Sequence, residues 1–554
     1  MKKSILFIVE SPTKIKTLQK ILNSKGSNYQ FLATLGHIKD LPTKTLGVNL
    51  NNFEPNLVIL HKKLKTLKFL TKLAESCLEI YLATDPDREG EAISVHLYEY
   101  LSKKGTLKNN SFKRIELHEI TELGLEKALK NARFLDYNLY RSWKARRVLD
   151  RLIGYLLSPK ISKFFKRPLS VGRVQSPALK LIVEREIEIE NFKPQKTYSL
   201  NLLAKSQEGN IYDLELSTKN KLFKAQDKEK LLNFYKEYLS ESEIILEKIV
   251  SKEIKMSPPL PLKTSTLIEI AGKTLGLSPK ETMFIAQTLY EKGLITYMRT
   301  DSVRVSSLAK KEAHTYIKNL YGEAYVGSER KIKKKGLIQD AHECIRPTNI
   351  LKYEKAQRLS TKEKLLYELI FSHFIASQMK EALFREDIYY FRNQKMPSSY
   401  YLQMKNKVLL FDGFLKVLRN KVEKGTPLKL KEGEILRVDS YKIKEHISQP
   451  PERYTAHSLI KKLEDLGIGR PSTYSTILDI LFKRGYVVLE GKYLKPTDLG
   501  KKVCEYLEEH TKLIMDYSFT AQMEQALDEL CEGKKEYITL LHEYFQILEG
   551  CLII

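Results

Sequence analysis

Cysteine is scarce in this chain and never paired. The five present among 554 residues, Cys77, Cys344, Cys504, Cys531 and Cys551, stand far apart. That excludes a disulfide framework and a four-cysteine zinc module, and leaves them as small apolar fillers. The histidines lack zinc spacing as well, so no zinc is expected. Long apolar runs are missing: nothing approaches a membrane span, and Ile5–Val9, which ends at Glu10, is too short for a signal-peptide core. These absences predict a soluble cytoplasmic protein without a membrane partner. A P-loop is absent too, because Gly272-Lys273-Thr274 imitates one but Leu267 stands where the first glycine belongs. Acidic residues are the scarcer charge, 68 against 94 lysines and arginines, for a formal net charge of +26. Such an excess calls for a polyanionic partner, most simply nucleic acid.

The first 135 residues alternate short apolar strands with helices, the pattern of a parallel α/β sheet. Ser4–Val9 is a strand ending in Glu10, after which Ser11 caps and Pro12 opens a helix with Lys14 in its first turn. Glu79–Thr84 is another, ending in Asp85, after which Pro86 opens a helix through Asp87, Arg88, Glu89 and Glu91. Ligands of parallel sheets gather at the carboxyl ends of strands, so Glu10, Asp85, Asp87 and Glu89 are expected to converge. Each acid alone also reads as a helix cap. Four in one crevice would repel without a cation, and Mg²⁺, which combines one or two carboxylates with water and phosphate, suits them. Lys14 and Arg88 would then contact phosphate.

Near mid-chain, Ser278 and Glu281 form a capping box and Pro279 opens a helix with apolar Met283, Ile285, Ala286 and Leu289, which should stop at Gly293. A short strand is predicted over Leu294–Thr300, with Ile295, Tyr297 and Arg299 on one face. A phenol beside a guanidinium suits a phosphodiester: tyrosine can attack phosphorus, and arginine offsets the charge gained. The same pair fits a buried ring with a solvated charge. Further basic positions stripe the helix Arg141–Leu156 at Lys144, Arg147 and Arg151, next to Ser170-Val171-Gly172-Arg173-Val174-Gln175, where Gly172 permits close approach and Arg173 and Gln175 reach out. Trp143, the single tryptophan, reads as packing or as a base-stacking ring. A faint repeat relates Leu267, Ile268, Leu289, Lys292 and Gly293 to Leu459, Ile460, Leu481, Arg484 and Gly485, 192 positions later. The second copy holds Arg470 and Ser472 before a helix able to receive phosphate.

Together these motifs resemble the bacterial type IA DNA topoisomerases along nearly the whole chain. The resemblance is carried by Val9-Glu-Ser-Pro12, Gly36-His-Ile-Lys-Asp-Leu-Pro42, Thr84-Asp-Pro-Asp-Arg-Glu-Gly-Glu91, Arg146-Arg147 with Asp150-Arg151, Gly172-Arg-Val-Gln-Ser176, Ile295-Thr-Tyr-Met-Arg-Thr-Asp-Ser302, Ala341-His-Glu-Cys-Ile-Arg-Pro347 and Gly469-Arg-Pro-Ser-Thr-Tyr474. It implies Tyr297 as the nucleophile of a 5′-phosphotyrosyl link, with Arg299 beside the scissile phosphate. It also implies Glu10, Asp85, Asp87 and Glu89 as the acidic, Mg²⁺-binding site of a Toprim fold, assisted by Lys14 and His342. His37, Arg146, Arg147, Arg151, Ser170 to Gln175, Arg299, Arg470 and Ser472 would contact DNA. Met298 between the tyrosine and arginine fits the topoisomerase I branch, since the topoisomerase III branch tends to carry proline there. The C-terminal zinc modules common in the first branch are not encoded up to Ile554.

The expected architecture is multidomain, α/β plus α plus β, with an N-terminal Toprim parallel sheet, helical helix-turn-helix domains and a β-rich arch around a central hole. The expected division is a Toprim domain at 1–135, a helical DNA-binding domain from 136–193 and 450–554, a β-rich hinge from 194–256 and 384–449, and a helical domain at 257–383 carrying Tyr297. The expected activity is ATP-independent relaxation of negatively supercoiled DNA by a monomer acting on a single-stranded stretch, in the bacterial nucleoid. Rival readings are a topoisomerase III-like decatenase, a Toprim nuclease or primase that needs the acids but not Tyr297, and a non-catalytic DNA-binding protein using its two helix-turn-helix units.

Overall fold

A computed structural model describes residues 4–23, 28–106, 111–218, 221–328, 342–351, 359–418 and 425–550; Ala341 and Cys551 lie outside them. The N-terminal sheet has four parallel strands, β1 (Ser4–Val9), β2 (Asn28–Ala33), β3 (Glu79–Leu82) and β4 (Ser111–Arg114), in the order β2-β1-β3-β4. β1 is central and buried, as its unbroken apolar run demands. The chain leaves β1 toward β2 and returns to the other side at β3, so the switch point lies between the carboxyl ends of β1 and β3, where Glu10 and Asp85 emerge.

The two alternating segments flanking the central helical block form one antiparallel sheet. Its strands are β5 (Lys196–Lys205), β6 (Ile211–Thr218), β7 (Lys221–Leu222), β8 (Glu243–Met256), β9 (Ala382–Arg392), β10 (Tyr400–Phe411) and β11 (Ile435–Ile447), ordered β10-β9-β8-β11-β5-β6-β7. β10 also pairs with β6, Leu402 opposite Leu216, which closes six strands into a ring. Alternation fills it: Leu200, Leu202, Leu214, Leu216, Phe391, Leu402 and Leu436 form a core separate from the main one.

The repeat has a structural counterpart. Helices Thr264–Leu275 and Pro279–Glu291 pack respectively on Ala456–Asp465 and Tyr474–Lys483. Leu267, Ile268, Leu289, Leu459, Ile460 and Leu481 are all buried between them. Lys292 and Arg484 are C-caps, followed by Gly293 and Gly485 at φ +74° and +69°, so the recurring glycines are left-handed helix stops. The capping box of Ser278 and Glu281 forms as expected. Two local expectations fail. Leu294–Thr300 is irregular, with one bridge from Ile295 to Pro347, because neighbouring loops rather than a sheet edge take its backbone groups. The helix after β3 begins at Arg88 with Asp87 as cap, not at Pro86.

A Cβ on Gly293 would lie 2.3 Å from the Ile120 carbonyl oxygen, whereas at Gly485 nothing lies within 4 Å. Gly485→Ala should therefore lose about 1 kcal/mol of stability from backbone strain alone, and Gly293→Ala at least twice that, as measured by denaturant unfolding. Equal losses would count against the close approach.

Candidate active site

Glu10 and Asp85 sit side by side at the ends of β1 and β3, and Glu10 Oε1 accepts the Asp85 N–H at 2.9 Å. Ser11 caps the helix Pro12–Leu22 and so brings Lys14, fully buried, into an ion pair with Asp85. The turn is held from behind by Arg114 at the end of β4. Its guanidinium donates to the carbonyls of Leu82 (3.1 Å), Thr84 (3.0 Å), Ile115 (2.7 Å) and Asp85 (2.6 Å), and to the buried Glu91 at 3.0 Å. Sequence reading missed Arg114, because backbone carbonyls leave no signature in side-chain patterns. Burial, then the Asp85 carboxylate, push the Glu10 pKa up to about 7; Lys14 opposes this and Asp87 adds to it.

Tyr297 meets this crevice. Its Oη donates to Asp87 Oδ2 at 2.6 Å, and Arg299 Nη1 reaches the same oxygen at 3.4 Å. Asp87 Oδ1 accepts the Gly90 N–H at 2.9 Å, which fixes its rotamer. The Tyr297 N–H donates to His118 O and that of Thr296 to Arg346 O, both at 2.9 Å. Tyr290 stands edge-on to the Tyr297 ring, 5.2 Å between centroids, and its hydroxyl donates to Leu117 O. His342 donates from Nε2 to Pro86 O at 2.7 Å, its ring 5.9 Å from that of Tyr297. Burial, then Asp87 and Asp85, raise the Tyr297 pKa well above the ordinary phenol value, against the pull of Arg299. The phenol is therefore protonated and donates to a carboxylate able to take the proton.

Glu89 already has partners of its own. It accepts from His37 at 2.8 Å and from the Trp143 indole at 2.7 Å; burial opposes its ionisation, but His37, Arg146 and Trp143 together hold its pKa near 2. Two positions beyond the cap, Glu89 lines the same cleft as Asp87 and Arg299, with its carboxylate engaged by His37 and Trp143. Among the described residues no three His, Cys, Asp or Glu side chains are grouped to hold a metal. Glu10, Asp85 and Asp87 nevertheless fit a hard divalent cation in chemistry, since all are oxygen donors, and Asp85 and Asp87 both add to the burial that disfavours ionised Glu10.

The basic positions divide. His37 stacks on Trp143, whose ring is buried packing rather than a free base platform. Arg147 pairs with Asp40, and Arg151 donates to Thr45 O at 3.3 Å. Arg146 donates to Ser472 at 3.2 Å, which joins two expected contacts across 326 positions. Arg173 and Gln175, expected to reach outward, are buried. Arg173 bonds Asp150 at 3.0 Å and Glu524 at 2.6 Å, while Gln175 donates to Ser170 O at 3.1 Å. Val171 and Val174 are core as well. An arginine with two carboxylates of its own does not turn to solvent, and Glu524 lay too far along the chain to be connected with it. Asp87, Arg88, Arg146, Arg299, His342, Arg470, Ser472 and Asp528 line one cleft of about 80 Å³.

A crevice of acids facing a tyrosine–arginine pair, beside an arginine-lined cleft, defines a class. A family model described as DNA topoisomerase matches residues 135–542, and one described as Toprim domain matches residues 5–120. The chain belongs to the bacterial DNA topoisomerases of type IA. It is 43% identical to the DNA topoisomerase 1 of Aquifex aeolicus across 98% of either chain, and 41% identical to that of Thermotoga maritima across 97% of this chain and 83% of the relative. Its fold is similar to the solved full-length topoisomerase I of Thermotoga maritima, with a TM-score of 0.86 at 38% identity, covering 99% of this chain and 90% of that one. Among the described residues no helix is long and apolar enough to cross a membrane.

The elevated Glu10 pKa gives a stability test. Unfolded, the carboxyl ionises near 4.5; folded, near 7. Its favourable contribution is whole below pH 4.5 and lost as pH rises through about 7. Glu10→Gln should thus match wild type in acid and exceed it above neutrality, by an amount on the order of 3 kcal/mol without divalent cation. A pH-independent difference in thermal midpoint would refute the coupling.

Proposed function

We propose that the chain relaxes negatively supercoiled DNA without ATP, by breaking one strand, passing another and rejoining the first. The observation carrying this reading is the 2.6 Å hydrogen bond from Tyr297 Oη to Asp87 with Arg299 on the same oxygen. A free phenol loses its proton only near pH 10, so attack needs an acceptor and a cation at hand. As Tyr297 Oη bonds phosphorus, its proton passes to Asp87 Oδ2. The bond from phosphorus to the 3′ oxygen breaks, and that oxygen takes a proton from Glu10, whose pKa near 7 suits a neutral-pH acid. Arg299 and Lys14 offset charge on the phosphate. Religation reverses each transfer, so the phosphodiester's energy is kept in the 5′-phosphotyrosine.

Asp85 and Asp87 would hold Mg²⁺, with Glu10 joining them once it has given up its proton, and the ion supplies further charge neutralisation at the phosphate when bound; Glu89 orients His37 and Trp143. His342 positions the Pro86 turn. The DNA path runs over the exposed edges of Arg147, Arg151, Arg470 and Ser472, with Arg173 and Gln175 as its framework. The proposed units are residues 1–135, 136–193 with 450–554, 194–256 with 384–449, and 257–383. The last, carrying Tyr297 and joined through the strand ring, lifts away and opens a central hole for the passing strand. The proposed enzyme works as a monomer on a single-stranded stretch in the cytoplasm, without zinc.

Tyr297→Phe should lose both plasmid relaxation and the covalent protein–DNA adduct while binding single-stranded oligonucleotide within about threefold of wild type. Chelation of Mg²⁺ should stop relaxation reversibly. A Phe variant that still nicks would favour a Toprim nuclease; a wild type that only shifts plasmid mobility would favour a binding protein.

A further inference from the structure

The cleft beside Tyr297 contains an ion cluster in which a carboxylate, with no part in the proposed chemistry, holds two arginines. Arg88, next to the tyrosine's partner Asp87, pairs with Asp528 Oδ1. Arg470, from the loop before the helix Tyr474–Lys483, places Nη2 at 2.7 Å and Nε at 3.1 Å from Asp528 Oδ2. Two guanidiniums from segments more than 380 positions apart thus converge on one carboxylate supplied by a third, the helix Tyr517–Cys531. Two guanidiniums on one anion, Arg470 with two nitrogens and Arg88 with one, is how proteins grip a phosphodiester. The grip is incomplete, because the buried Arg88 Nη1 has no hydrogen-bond partner among the described residues. A carboxylate offers two oxygens in a plane. The tetrahedral phosphate presents more acceptor directions and could satisfy the idle donor.

We propose that Asp528 is a phosphate surrogate: Arg88 and Arg470 form a subsite for a backbone phosphate of the bound strand, and in the DNA-free protein the Asp528 carboxylate occupies it. The surrogate keeps both guanidiniums aligned and partly compensates their charge until DNA arrives, and the strand binds by displacing it. Displacement need not unfold the helix, which is anchored independently by Ser142 donating to Leu527 O at 2.7 Å and by Arg173 on Glu524 at 2.6 Å. Arg146, Arg299 and Ser472 line the same cleft, so a phosphate at Arg88 and Arg470 shares it with Asp87 and Arg299, the oxygen and guanidinium beside the Tyr297 hydroxyl. An intramolecular competitor lowers apparent affinity by the fraction of time it fills the site, which makes Asp528 a brake on binding.

The inference rests on the reading of this chain as a strand-cleaving enzyme, and plasmid relaxation by the wild type tests that reading separately. The inference itself is tested with non-covalent binding of a labelled single-stranded oligonucleotide, in the Tyr297→Phe background at low salt with Mg²⁺ chelated. Asp528→Asn should bind about five- to tenfold more tightly, and in an added Arg470→Gln background the gain should fall below about twofold. Unchanged or weaker binding by Asp528→Asn, or a gain that survives Arg470→Gln, would overturn it. Should the Asn variant unfold, Asp528→Ser, which also removes the carboxylate, is read in the same assay: the same gain, lost with Arg470→Gln, is expected, and unchanged or weaker binding rejects the surrogate.

Discussion

One carboxylate, that of Asp87, ties the molecule's parts together. It caps the helix Arg88–Lys103 through the Gly90 N–H with one oxygen and receives Tyr297 and Arg299 on the other. The parallel sheet and the central helical block therefore meet at an acid with no spare rotamer. Supporting contacts surround it: Tyr290 on Leu117 O, the Tyr297 N–H on His118 O, His342 on Pro86 O, and Thr17 on Glu291 O at 2.7 Å. All four end on backbone carbonyls. They fix position closely, yet each is a neutral hydrogen bond of modest net strength, which suits an interface that must part and rejoin.

Charge distribution follows the same logic. The protein carries 26 more positive than negative formal charges, but around the cleft nearly every cation has an acid: Lys14 with Asp85, Arg299 with Asp87, His37 with Glu89, Arg173 with Glu524, and Arg88 and Arg470 with Asp528. Cations this close together repel when desolvated without counter-ions. The acids hold them in place in the absence of a polyanion, so the catalytic cleft is less basic than composition suggests.

Much of the fold could be read directly. The apolar run of Ser4–Val9, the alternation in Lys196–Lys205 and Tyr400–Phe411, and the cap signals at Ser11, Ser278 and Gly293 are local, and their periods report which face is buried. The repeat of Leu267 to Gly293 in Leu459 to Gly485 was legible because both copies end on the same left-handed glycine. The acids and Tyr297 could be named because their chemistry is carried by residue type. The strand at Leu294–Thr300 was misread because its alternation is set by loops on either side, Thr296 bonding Arg346 and Tyr297 bonding His118. Arg114 and Glu524 went unseen, since their importance lies in partners distant in sequence.

Local order was thus settled by the amino-acid sequence: strand and helix periods, caps, the excess of positive charge and the kinds of reactive group present. These depend on neighbours within a few positions. Tertiary structure alone decided which acid faces the phenol, that Glu89 accepts from His37 and Trp143, that Arg173 is interior, and that Arg88 and Arg470 share Asp528. Hydrogen bonds and ion pairs act only over a few ångströms, and which groups come that close is fixed by how the whole chain packs.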